Sequence, residues 1–265
     1  MNSIERALST VPGDVDNNGE FEFGHVVNDD RTKKKVTIDR AYFEKMGLHE
    51  SERTRTNEEY RHIKREIIKK MRESKVGNAN LVMITSSMPN EGKTFTSINL
   101  AMSLALEVDK TVLLVDADVV KPSIDIALGL NECEGLVGFL KSDNKPLSDF
   151  LVKTDMDNLS ILPAGVPDLR TPELFSSVKM ERLVNELSSR YPDRIVIFDA
   201  PPILSTSESN ILSSYVGQIL VVVAAGETSA NKIKDALAKL DKHKEIGLVL
   251  NKKIFSDSSQ EYGYY

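Results

Sequence analysis

The sequence predicts a three-layer α/β fold, with a mainly parallel central sheet and helices on both faces. Three observations carry that expectation. Apolar runs without alternation recur at Leu81–Thr85, Thr111–Val115, Leu159–Leu162, Arg194–Phe198, Gln218–Ala225 and Glu245–Leu250, as in strands covered on both faces. Segments with helical apolar spacing lie between them. Strands and helices alternating at these distances imply right-handed crossovers between parallel neighbours.

The elements follow in order. Residues 1–55 read as a mostly extended, flexible arm: Val11–Asp30 is rich in Asp, Asn, Glu and Gly, Arg31–Lys35 is basic, and only Val36–Ile38 suggests a strand. Thr56-Asn-Glu-Glu59 fits a capping box and opens an amphipathic helix over Asn57–Lys75. Tyr60, Ile63, Ile67 and Met71 form its apolar face; Arg61, Lys64, Arg65, Lys69, Lys70 and Arg72 lie opposite. The main domain is read as 56–255. Its further helices are Lys93–Glu107, Pro172–Tyr191 and Ser229–Lys242, with Pro172 suited to a first turn. Ser256–Tyr265 is polar and tyrosine-rich and forms a tail.

Composition narrows the function. The chain has 265 residues, 40% hydrophobic and 28% charged, enough for one full core. Its longest apolar run, near Ile219–Ala225, falls well short of the roughly 18–20 residues that span a bilayer. Met1–Val15 carries no apolar signal core, so a soluble cytoplasmic chain is expected. The single Cys133 excludes an intramolecular disulfide framework and a multi-cysteine metal site. The four histidines, His25, His49, His62 and His243, have no metal-ligand spacing. A net charge of −6 argues against a nucleic-acid partner.

The chemistry concentrates where a strand runs through Ser87-Met-Pro-Asn-Glu-Gly-Lys-Thr94 into a helix. This is close to a P-loop, with Ser87 in place of the first glycine. Successive backbone N–H groups before a helix make an anion nest, to which the helix N-terminus adds partial positive charge. Gly92 lets the backbone approach phosphate, Lys93 reaches the β- and γ-phosphates, and the Thr94 hydroxyl can ligate Mg²⁺. Two other buried runs end in acids: Asp116 and Asp118 after one, Asp199 after the other. Ligands of open parallel sheets sit beyond the carboxyl ends of the strands, so these groups are expected to share one rim. Tyr262, Tyr264 and Tyr265 crowd the last four positions, where a core has no use for them, and suggest sites of modification or binding.

With these features assembled, Glu58–Tyr265 resembles the bacterial P-loop tyrosine autokinases, the subgroup linked to exosortase-type exopolysaccharide loci being most similar. Ser86–Thr94 resembles the Walker A motif of the family, Asp116-Ala-Asp118 its second aspartate motif, and Asp199-Ala-Pro-Pro202 its Walker B. Glu58, Arg61 and Lys64 resemble the motif that packs subunits into a ring, and the tyrosine cluster resembles the autophosphorylation tail. The resemblance implies a P-loop NTPase fold, ATP and Mg²⁺ as cofactors, and tyrosine hydroxyls as acceptors. Lys93, Asp116 and Asp118 become the catalytic candidates, Asp116 taking the tyrosine proton. Thr94, Asp118 and Asp199 become the metal candidates. Nucleotide would be held by Ser87, Met88, Pro89, Asn90, Glu91, Gly92, Lys93, Thr94 and Phe95, with Asn251 near adenine. The implied partners are a membrane polysaccharide chain-length determinant (co-polymerase), a tyrosine phosphatase and further copies of the chain, with peripheral membrane association through a partner. Three departures stand out: Asn90 for a glycine, Val120 for an arginine, and Lys64 for an arginine of the ring motif. Two other readings remain: a dimeric switch ATPase of the partition and division-positioning type, and a nucleotide-binding scaffold with weak kinase activity. Switch ATPases carry a signature lysine four residues before the P-loop glycine, where this chain has Met88.

Overall fold

A computed structural model describes residues 24–28, 34–38, 54–74, 77–128, 130, 133–191 and 193–253. Among them nine strands form one sheet, in the order β1-β2-β5-β6-β4-β7-β3-β8-β9. In chain order these are β1 (Gly24–Asn28), β2 (Lys34–Ile38), β3 (Leu81–Ser86), β4 (Thr111–Asp116), β5 (Val152–Thr154), β6 (Leu159–Leu162), β7 (Arg194–Asp199), β8 (Gln218–Ala224) and β9 (Glu245–Asn251). The helices are α1 (Arg55–Glu73), α2 (Lys93–Ala105), α3 (Ser123–Ala127), α4 (Gly135–Lys141), α5 (Thr171–Phe175), α6 (Val178–Ser189), α7 (Glu208–Tyr215) and α8 (Ala230–Ala238). Strands β6, β4, β7, β3, β8 and β9 run parallel, whereas β1–β2 and β5–β6 are antiparallel pairs.

The lack of alternation in the central strands has a direct cause. On β3, Val82 and Ile84 enter a core shared with α1 and α2, while Leu81 and Met83 enter a second core shared with α4 to α8. All four side chains are fully buried. Each such side chain contributes about 1.5–3 kcal/mol relative to exposure, so a polar residue is disfavoured at either parity. Tyr60 and Ile67 seat α1 on the first core.

Three elements differ from expectation. The cap of α1 is Thr54: its Oγ1 accepts the Asn57 N–H at 3.2 Å, which places Thr56 inside the first turn. The helix expected over Pro172–Tyr191 is two helices, because Ser177 adopts an extended conformation and its side chain caps a new start by accepting the Met180 N–H. Within the arm read as 1–55, the strand expected at Val36–Ile38 is present in β2, but β1 also pairs with it antiparallel, and β2 joins the sheet through β5, with Val36 and Ile38 buried. An antiparallel strand pair escapes the βα periodicity that identifies the rest.

Candidate functional site

The site lies at the carboxyl ends of β3, β4 and β7. The register pairs Asp116 of β4 with Asp199 of β7, and Ile84 of β3 with the same Asp199. This adjacency places the end of the P-loop strand beside both aspartate-bearing strands.

The loop between β3 and α2 is built for close backbone approach. Asn90 has φ 64° and Gly92 φ 94°. Asparagine tolerates the left-handed region better than most residues, so Asn90 can occupy the turn in place of glycine. A Cβ on Gly92 would lie 2.0 Å from Asn251 Nδ2. Glu91 braces the loop from within: Oε2 accepts the Met88 N–H at 2.9 Å, and Oε1 accepts the Thr228 hydroxyl. The Asn251 amide donates to the Glu91 carbonyl at 2.9 Å. Met88 is half-buried, Pro89 and Asn90 are exposed, and Phe95 is half-buried on the first turn of α2. The buried Ser87 hydroxyl has no hydrogen-bond partner among the described residues, leaving a polar atom in the loop available to an anion.

Lys93 lies among the carboxylates. Its Nζ is 2.6 Å from Asp118 Oδ2 and 3.9 Å from Asp199 Oδ2. The Thr94 hydroxyl donates to Asp199 Oδ2 at 2.7 Å, and the Ser97 hydroxyl to Asp199 Oδ1 at 2.9 Å. Asp116 is held by main-chain amides instead. Its Oδ1 accepts the Asp118 N–H at 3.1 Å, and its Oδ2 accepts those of Ile124 at 2.9 Å and Asp125 at 3.4 Å. Asp118 Oδ1 accepts the Lys121 N–H at 3.1 Å, which closes the turn that carries Val120.

Burial governs the protonation balance. It pushes the Asp116 carboxyl well above its usual range, with Asp199 and Asp125 adding to the shift and Lys93 opposing it. Burial also raises Asp199, against the pull of Lys93, Thr94 and Ser97. Burial alone would lower Lys93, yet Asp199, Asp118 and Asp116 together lift it above the ordinary lysine value. The ammonium therefore stays charged in a dry site, as a phosphate-binding group requires.

The structure thus brings Lys93, Thr94, Asp116, Asp118 and Asp199 together, and places Asn251 against the P-loop backbone. It does not gather Glu58, Arg61 and Lys64 into one free charged row. Glu58 and Arg61 pair with each other, while Lys64 Nζ reaches Glu107 Oε1 at 2.7 Å and the Ser103 carbonyl at 3.0 Å. Tyr262, Tyr264 and Tyr265 lie outside the described residues. Sequence reasoning missed Ser97 and Asp125. Ser97 is one helical turn beyond Lys93, a spacing that could have found it; Asp125 is an acid set between Ile124 and Ile126 on the short helix Ser123–Ala127.

Residues 79–254 match the model of an AAA domain family. The chain is 37% identical to the tyrosine-protein kinase YwqD of Bacillus subtilis over 187 residues, covering 69% of this chain and 76% of that one. It is similar to the crystal structure of the VpsO kinase domain, with 34% identity, a TM-score of 0.60, and coverage of 66% of this chain and 85% of that one. A MinC–MinD cell division complex from Aquifex aeolicus, at 23% identity and TM-score 0.53 over 64% of this chain and 67% of that one, shares the fold.

Proposed function

This chain belongs to the bacterial tyrosine-protein kinases, and from that premise we propose that it is an ATP-dependent autokinase whose acceptors are Tyr262, Tyr264 and Tyr265. The observation that carries the proposal is the contact of Lys93, Thr94, Asp118 and Asp199 at one rim, with Asp116 alongside. The P-loop identifies a nucleotide as the phosphoryl donor.

The residues present suit Mg²⁺: one hydroxyl and two carboxylates supply the hard oxygen ligands it prefers. Thr94, Asp118 and Asp199 would hold it, and among the described residues no closed cage of His, Cys, Asp and Glu competes for it. When bound, Mg²⁺ neutralises phosphate charge. Lys93 exchanges its carboxylate contacts for the β- and γ-phosphates and stabilises charge on the transferred group. The acceptor phenol oxygen forms a bond to the γ-phosphorus as the bond to the β,γ-bridging oxygen breaks. The phenol proton passes to Asp116, and ADP leaves. Such transfer depends on position and charge neutralisation more than on covalent help.

The wider assignment is control of exopolysaccharide assembly with a membrane chain-length determinant, reversed by a tyrosine phosphatase, in a ring of like subunits at the inner face of the membrane. No helix among the described residues is long and apolar enough to cross a membrane. The test is incubation of the purified chain with ATP and Mg²⁺ followed by phosphosite mapping. Label is expected at the three tail tyrosines; label confined to Tyr42, Tyr60, Tyr191 or Tyr215 would overturn the acceptor assignment. Lys93→Met or Asp116→Asn should lower the rate on the order of 10²–10³-fold.

A further inference from the structure

The reaction above leaves one buried carboxylate of the site unused. Asp125 is 1% exposed on α3. Its Oδ1 accepts the Ala164 N–H at 3.0 Å and its Oδ2 accepts the Gly165 N–H at 3.2 Å. Those amides belong to the turn that follows β6. The Asp125 backbone N–H, with that of Ile124, faces Asp116 Oδ2. One residue therefore joins the turn after β6 to the carboxylate at the end of β4.

The turn is fixed from its other side as well. The Leu136 and Val137 N–H groups of α4 donate to the Pro163 and Ala164 carbonyls at 2.7 and 3.0 Å. There is little slack: a Cβ on Gly135 would lie 2.3 Å from the Pro163 carbonyl oxygen, and one on Gly165 2.0 Å from the Glu134 carbonyl oxygen. A carboxylate is an expensive way to seat a five-residue helix, since its desolvation must be offset by hydrogen bonds, whereas apolar packing carries no such requirement. What the carboxylate adds is direction. Two charge-assisted bonds define where α3 begins relative to β6, and hence where the amides that orient Asp116 stand.

The geometry points to Asp125 as a positioning residue for phosphoryl transfer: by tying the 163–165 turn to the start of α3, it fixes the orientation of Asp116 toward the acceptor phenol. This rests on the reading of Asp116 as the group that takes the phenol proton. Misplacement of a reacting group by about 1 Å can cost on the order of 10²-fold in rate. Lys93, Thr94 and the P-loop amides, by contrast, share no hydrogen bond or ion pair with Asp125 and should hold nucleotide as before.

The experiment measures kcat and the KM for ATP on the full chain for wild type, Asp116→Asn, Asp125→Asn and Gly135→Ala, with thermal unfolding as the check on folding. Gly135→Ala pushes the same turn from the opposite side without altering a carboxylate, and it decides the matter should Asp125→Asn fail to fold. Expected is a fall in kcat of about tenfold to a hundredfold for Asp125→Asn and Gly135→Ala, with the KM for ATP within about twofold. Wild-type kcat in both variants overturns the inference and leaves the role of Asp116 intact. A kcat loss matched by an equal weakening of nucleotide binding also overturns it, because the residue would then be structural only. Full activity in Asp116→Asn removes the reading of Asp116 and this inference with it.

Discussion

Lys93 and Asp118 form a 2.6 Å ion pair whose two side chains are only 10% and 5% exposed. Burial of that degree separates it from the surface pairs of the molecule, such as Arg55–Glu59 at more than half exposure. Exposed pairs contribute little, whereas removing one partner of a buried pair leaves an uncompensated charge, at a cost of about 3–5 kcal/mol. Lys93→Met should therefore destabilise the nucleotide-free chain by about 3 kcal/mol at pH 7. The loss should shrink at pH 5. Without the ammonium, Asp199 holds a proton in the folded chain that the unfolded chain has released, so stability of the variant falls as pH rises. Urea unfolding of wild type and variant at the two pH values checks both size and sign.

A second pH effect belongs to Asp125. Burial raises its carboxyl from 3.8 to about 6, against the pull of the Ala164 and Gly165 amides, and Asp116, whose Oδ2 accepts the Asp125 backbone N–H, is the neighbouring acid. Between about pH 4 and pH 6 the folded chain keeps a proton that the unfolded chain has lost. Stability from this group is thus highest in acid and declines as pH rises through that window, at about 1.4 kcal/mol for each step of one in pH. Relative to Asp125→Asn, wild type should lose about 2–3 kcal/mol between pH 4 and pH 7. A difference that stays flat with pH would place the Asp125 carboxyl in its ordinary range.

Gly92 and Asn251 should behave as one unit. Gly92→Ala demands a left-handed backbone from a residue with a side chain and drives its Cβ into the Asn251 amide. The expected cost is about 2 kcal/mol or more, with weakened nucleotide binding. Asn251→Ala alone should cost about 1 kcal/mol, through the bond lost to the Glu91 carbonyl. In the Gly92→Ala background that bond is already disturbed, so Asn251→Ala should add almost nothing. A double-mutant cycle by chemical denaturation measures the coupling, and additive effects would separate the two residues.

The parts legible in the sequence share a physical basis. Leu81–Ser86, Thr111–Asp116 and Arg194–Asp199 are buried on both faces, so their composition alone identifies them. Lys93, Asp116, Asp118 and Asp199 follow, because strand ends converge on one rim whatever the loops do. What escaped reading depends on pairing across long separations. The β1–β2 hairpin joins β5 over more than a hundred residues, and Asp125 meets Ala164 across 39. Val36–Ile38 suggests a strand, but its partners β1 and β5, like the partner of Asp125, leave no periodic trace. The shift of the α1 cap from Thr56 to Thr54 is a local ambiguity: both residues are followed by polar groups at capping distance, and only one backbone is extended.

Helix α1 supplies the last prediction. If it mediates self-association, its three motif residues should not act alike. Glu58 and Arg61 are paired side by side and about one-third exposed, open to exchange with another subunit. Lys64 is 11% exposed and bound within the chain to Glu107 and to the Ser103 carbonyl, which ties α1 to the end of α2. Glu58→Ala/Arg61→Ala should therefore reduce the mass of the nucleotide-bound assembly in solution and leave stability within about 0.5 kcal/mol. Lys64→Ala should do the reverse: assembly unchanged, stability lower by about 1.5–3 kcal/mol, the range for hydrogen bonds to charged groups. Light scattering and denaturant unfolding on the same samples read the two effects. A loss of assembly in Lys64→Ala with unchanged stability would mean that Lys64 leaves Glu107 to pair across subunits, and that the helix contributes its whole charged row to the interface.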